Sequence, residues 1–107
     1  MSNEELATQL MLLKNAIVSL HEHLAPELKT RDLVLLKYGF TEKEISELDR
    51  YFMEIFMNKL NPTKKEFQKK LAEIKGIPEL TAEVVKDVLE GYKADDLHTN
   101  TINKILR

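Results

Sequence analysis

Leu6, Leu10, Leu13, Ile17, Leu20 and Leu24 follow one another at alternating steps of four and three residues. Side chains three and four apart on an α-helix lie one above another, so this spacing gathers all six on one face. It is the seam of a helix built to lie against other helices, and no other feature of the chain restricts its fold as much. The same seam says nothing about chemistry, ligand or substrate.

A chain of 107 residues buries about 60–70% of its unfolded surface, which is enough for one modest core, so residues 1–107 are expected to form a single helical domain. With 43% hydrophobic and 32% charged residues, and only three glycines and three prolines, the balance is that of a folded helical protein with a charged surface. Three segments start with a hydroxyl residue followed three positions later by glutamate: Ser2 with Glu5, Thr41 with Glu44, and Thr63 with Glu66. At a helix start this spacing lets hydroxyl and carboxylate satisfy free backbone amides reciprocally. Stops follow at Pro26, Gly39, Asn61-Pro62, Gly76 before Pro78, and Gly91. The punctuation predicts helices at about 3–25, 30–38, 42–60, 63–75, 80–90 and 95–106, and neither strict alternation nor a hairpin dipeptide argues for a strand. The expected fold is therefore all-α, a single-domain bundle of about six helices led by a long heptad-like N-terminal helix.

Two of these helices are apolar on more than one stripe. Met11 and Val18 stand roughly 120° from the leucine seam at 100° per residue. In the third helix Ile45, Leu48, Phe52, Ile55, Phe56 and Leu60 make the main face, and Tyr51, Met53 and Met57 widen it. Leu13, Ile17, Phe52 and Leu71 occupy the centres of their faces and are the expected core. The second stripes, Met11 and Val18 with Tyr51, Met53 and Met57, are more than a domain of this size readily covers, which makes them the candidate interface of a homo-oligomer.

Catalytic chemistry finds little support. His21 and His23 project about 200° apart, whereas two ligands to one ion need i, i+3 or i, i+4 spacing. Asp95, Asp96 and His98 stand where acids at a helix start are expected in any case. There is no cysteine, no glycine-flanked serine and no glycine cluster to cradle a phosphate. No metal, cofactor or catalytic residue is expected, and the chain is read as a non-enzyme. An opening Met1-Ser2-Asn3-Glu4-Glu5 with no long apolar run argues for a cytoplasmic protein without a membrane segment.

The formal net charge is −2, but its distribution is uneven. Lys59, Lys64, Lys65, Lys69, Lys70 and Lys75 face only Glu66 and Glu73, and the acids of residues 76–96 reverse the excess. Lys64, Lys65, Lys69 and Lys70 are the candidate patch of an alternative reading, a nucleic-acid-binding regulator. The stretch lacks arginine and its one aromatic, Phe67, points inward, so charge pairing within the molecule and a solvated helix face are preferred, and nucleic acid is not the expected partner.

Two resemblances bear on this reading. Thr63-Lys64-Lys65-Glu66-Phe67, Lys70-Leu71-Ala72-Glu73, Gly76-Ile77, Val84-Val85 and Val88-Leu89 resemble the N-terminal helix hairpin of the histone-like HU and IHF family of DNA-bending proteins. The match covers under a third of the chain and lacks that family's β-ribbon arm, so it implies a helical hairpin and little about DNA. Over most of its length the chain is similar to the YhaI-like family of small helical cytoplasmic proteins of bacilli. The shared order is the leucine-rich first helix, Leu35 through Glu44, a long helix, Phe67 with Leu71-Ala72, and Val84 through Gly91-Tyr92 before a last apolar helix. That resemblance implies a helical fold and self-association, with no catalytic residue to carry over. The expected function is a protein–protein interaction or regulatory module acting as a homo-oligomer with an unidentified protein partner, of a size that fits a phage or mobile-element origin.

Overall fold

A computed structural model describes residues 2–106 of the chain. It is all-helical, with α1 (Asn3–Leu24), α2 (Arg31–Lys37), α3 (Glu42–Met57), α4 (Lys64–Lys75), α5 (Ala82–Ala94) and α6 (Thr99–Leu106) in order. The starts follow from local chemistry. Thr41 with Glu44 and Thr63 with Glu66 form complete capping boxes, hydroxyl to backbone and carboxylate to backbone in both. Ser2 supplies half of one, accepting from the Glu5 amide, and Thr30 and Thr81 cap α2 and α5 in the same one-sided way.

Four helices end in one device. The amide two or three residues past the helix reaches back five positions, as Phe40 does to Leu35, Leu60 to Ile55, Ile77 to Ala72 and Leu97 to Tyr92. The turn requires a left-handed residue, supplied by Gly39 and Gly76 in two cases and by Lys59 (φ 53°) and Asp96 (φ 58°) in the others. α3 therefore stops at Met57, three residues short of the expected end, and α5 runs past its expected stop at Gly91.

Gly91 is buried inside α5, where a Cβ would stand 3.0 Å from the Thr30 carbonyl oxygen and from a Val34 methyl. The glycine is there for close approach, which lets α5 lie across the start of α2, and the reading of it as a helix stop is corrected.

The core lies between α2, α3, α4, α5 and α6. Leu48, Phe52, Phe67, Leu71, Val88, Leu89, Tyr92 and Ile102 are fully buried, and Phe52 sits at the middle with Phe67, Tyr92 and His98 around its ring. Phe52 and Leu71 thus take the central positions expected of them. Leu13 and Ile17 do not: they are 58% and 43% exposed, and α1 buries no residue. α1 packs chiefly on α2 through the side carrying Lys14, Val18 and His21, whose angular positions are roughly 60–120° away from the centre of the leucine seam. The face expected to enter the core is turned to solvent because its helix rests on the body by an adjoining, more polar face. No helix among the described residues is long and apolar enough to cross a membrane.

Candidate interaction surfaces

The first surface is the α1 seam. Leu6, Leu10, Leu13, Ile17, Leu20 and Leu24 are all exposed, in a row about 27 Å long at 1.5 Å per residue. Acids stand at the helix start, Glu4 and Glu5, and His21 and His23 in its last turn. The two imidazoles are engaged separately: His21 Nε2 meets the Leu28 carbonyl at 2.6 Å, and His23 Nδ1 meets the Ser19 carbonyl at 2.8 Å. His21 Nδ1 is buried without a hydrogen-bond partner.

The second surface is an open groove of about 1350 Å³ between the end of α3, the start of α4 and the outer side of α6. Phe56, 69% exposed, Met57, 72% exposed, and Leu60 give it apolar walls, and Met53 lies exposed on the same side of α3. Lys59, Lys64, Lys65 and Lys104 line it too, and no acidic residue does. Phe56 and Leu60 were expected on the buried face of the third helix. Phe56 sits about 100° around the helix from Ile55, and the Lys59 turn carries Leu60 off the helix altogether.

The residues singled out from the sequence divide between these surfaces and the interior. Met11 is exposed on α1, flanking the seam, whereas Val18 is half-buried on the side facing α2. Met53 and Met57 are exposed, whereas Tyr51 is half-buried with its ring 5.8 Å from Phe67 and beneath the Lys70 ammonium. Lys64, Lys65 and Lys69 are exposed, and Lys70 is half-buried, reaching Glu73 at 3.9 Å. Lys75, from the same run, is inward: its Nζ donates to Glu44 and to the Gly39 carbonyl, both at 3.0 Å, and stands over the Phe40 ring.

The acids after the lysine run pair elsewhere. Lys29, between α1 and α2, donates to Asp87 at 3.1 Å and to Glu90, and the Tyr38 hydroxyl donates to the other Asp87 oxygen. Burial acts to raise the Asp87 carboxyl, but the Tyr38 and Lys29 hydrogen bonds outweigh it and hold Asp87 below the usual carboxylate range. Burial and the same carboxylate push the Tyr38 hydroxyl well above an ordinary tyrosine.

A second cross-link joins three helices. Asp49 accepts from Arg31 Nη2 at 3.0 Å and from the Tyr92 hydroxyl at 2.8 Å, while the Arg31 guanidinium lies over the Tyr92 ring. Burial, reinforced by Asp49 and opposed by Arg31, raises the Tyr92 hydroxyl strongly, so it stays a donor. Both clusters hold their groups donor to acceptor, which locks α2 onto α5 and α3 and presents neither a free base nor a nucleophile to substrate. Among the described residues no group of three or more histidine, aspartate or glutamate side chains is placed to hold a metal ion.

No family model, no curated protein and no solved structure matches this chain.

Proposed function

We propose that the protein is a non-enzymatic interaction module of the cytoplasm that self-associates through α1. The observation that carries this reading is the contiguous leucine and isoleucine row on a helix that buries none of its residues, a larger apolar row than a monomer ordinarily leaves in water. The seam fits a second copy of itself. Read in antiparallel register about residue 15, Leu6 lies opposite Leu24, Leu10 opposite Leu20, and Leu13 opposite Ile17, so every layer pairs branched aliphatic residues. Antiparallel pairing brings Glu4 and Glu5 beside the partner's C-terminal turn with its two histidines, and opposes the helix dipoles favourably. It also sets the two bodies at opposite ends of the pair, since each α1 rests on its own α2 through its C-terminal half. The arrangement is isologous and closes as a dimer.

Light scattering at micromolar concentration is expected to give twice the monomer mass, and Leu13→Glu with Ile17→Glu to give the monomer with helicity unchanged, because a charge is costly at an apolar interface and not on a solvent face. The chain has no cysteine, so introduced thiols report orientation cleanly. An equimolar mixture of Leu6→Cys and Leu24→Cys proteins should oxidise to the mixed disulfide in preference to either homodimer. A wild-type protein that sizes as a monomer would refute self-association.

A further inference from the structure

We infer that the groove between α3, α4 and α6 is a second docking site, and that its occupant is an acidic amphipathic helix of a partner protein. The groove presents two chemistries at once. Phe56, Met57 and Leu60 offer exposed apolar surface, which no charged or polar ligand covers favourably. Lys64, Lys65 and Lys104 stand beside it with Lys59, without one carboxylate among the lining residues. None of these four lysines takes part in an ion pair among the described residues, although the same molecule pairs Lys29, Arg31 and Lys75 with carboxylates. A complementary ligand therefore carries apolar residues along one stripe and carboxylates on its flanks, which is the pattern of an amphipathic acidic helix.

Size and composition separate this occupant from its rivals. At about 1350 Å³ and open to solvent, the groove exceeds the roughly 300–1000 Å³ of small-molecule sites and suits a stretch of polypeptide. A nucleic acid would engage the lysines but leave Met57 and Leu60 uncovered, and no arginine stands among the described residues that line the groove to read bases or grip phosphate in bidentate fashion. Methionine and phenylalanine adapt readily to an apolar helix face.

The inference is independent of self-association, because the groove involves no residue of α1. The test uses the full chain and three fluorescent probes. The first is a peptide of about four helical turns with leucine at i, i+3, i+4 and i+7 and glutamate on both flanks. The second has lysine for each glutamate, and the third is a single-stranded oligonucleotide of equal length. Anisotropy is expected to show binding of the glutamate peptide, weakened by salt, and no binding of the lysine peptide or the oligonucleotide at physiological salt. Lys64→Glu with Lys65→Glu and Lys104→Glu should weaken that binding by at least about tenfold, as should Phe56→Ser with Met57→Ser. All these positions are exposed, so folding is retained, which circular dichroism checks. The same result is expected in the Leu13→Glu, Ile17→Glu background. Equal binding of both peptides, binding of neither, or binding of the oligonucleotide instead would each overturn the assignment.

Discussion

Gly91 faces Thr30 so closely that a methyl group on its Cα would stand 3.0 Å from the Thr30 carbonyl oxygen. Two effects oppose each other in Gly91→Ala. Alanine favours a helix interior by about 1 kcal/mol over glycine, while forcing a backbone oxygen and the Val34 methyl outward costs about 1–3 kcal/mol. The steric term wins because one of the two obstacles is backbone. Gly91→Ala is expected to lower stability by about 1 kcal/mol and Gly91→Val by several times that, read as the shift of the urea midpoint. A midpoint raised by Gly91→Ala would mean that α2 and α5 do not meet here.

Lys59 offers the opposite case. It occupies the left-handed position that ends α3, at φ 53°, where a Cβ costs roughly 1 kcal/mol and glycine costs nothing. Lys59→Gly should stabilise the protein by about 0.5–1 kcal/mol, part of the gain being returned through the freer unfolded chain. The check is a thermal melt beside Lys59→Ala, which should bring no such gain.

The lysine run contains members with different roles. Lys75 sits between Glu44, the Gly39 carbonyl and the Phe40 ring, with 15% of its side chain exposed. Lys75→Met leaves a half-buried carboxylate unpaired and should cost about 1–3 kcal/mol. Lys65→Met and Lys69→Met, on exposed positions, should stay within about 0.5 kcal/mol of wild type. Equal effects of all three in denaturant titrations would refute the distinction.

His98 gives stability a pH dependence of definite sign. Its ring stacks on Phe52 at 4.7 Å, and burial, with the nearby Arg31 charge, lowers its pKa from 6.5 against the opposing pull of Asp49. The folded state therefore favours the neutral ring. Its contribution is fully present above the unfolded pKa and is lost as the pH falls through the folded one. Between pH 7 and pH 5 wild type should lose stability more steeply than His98→Asn, a substitution suited to the left-handed backbone at φ 53°. Asp87 and Glu44, both held below the usual carboxylate range, add their loss only at more acidic pH.

What could be read from the sequence was what local chemistry decides. Thr41 with Glu44 and Thr63 with Glu66 announce helix starts because a hydroxyl and a carboxylate three residues apart reach only the backbone between them. The stops at Gly39 and Gly76 were legible for the same reason, whereas Lys59 and Asp96 carry no such signature and adopt left-handed backbone under pressure from the turn around them. A buried glycine is ambiguous in one dimension: Gly91 signals either a turn or a close approach, and only the crossing with α2 decides between them. The α1 seam is the sharpest example. Periodicity shows that a face is apolar, yet the side by which the helix rests on the body depends on Lys14, Val18 and His21, which form no conspicuous stripe. The groove was hidden too, because Lys104 is 39 residues beyond Lys65 and only the packing of α6 near α3 and α4 brings them to one rim.

The bareness of α1 also separates its fate from that of the rest of the chain. A helix in a protein draws most of its stability from tertiary packing, and this one of 22 residues gains no buried side chain from the body that carries it. Its backbone hydrogen bonds open locally at far lower free energy than those of α5, whose amides are guarded by the core. Pairing of α1 with a second copy, where it occurs as proposed, would add the protection that the body does not supply. Exchange of its amide hydrogens should slow as protein concentration rises, while exchange in α5 stays the same.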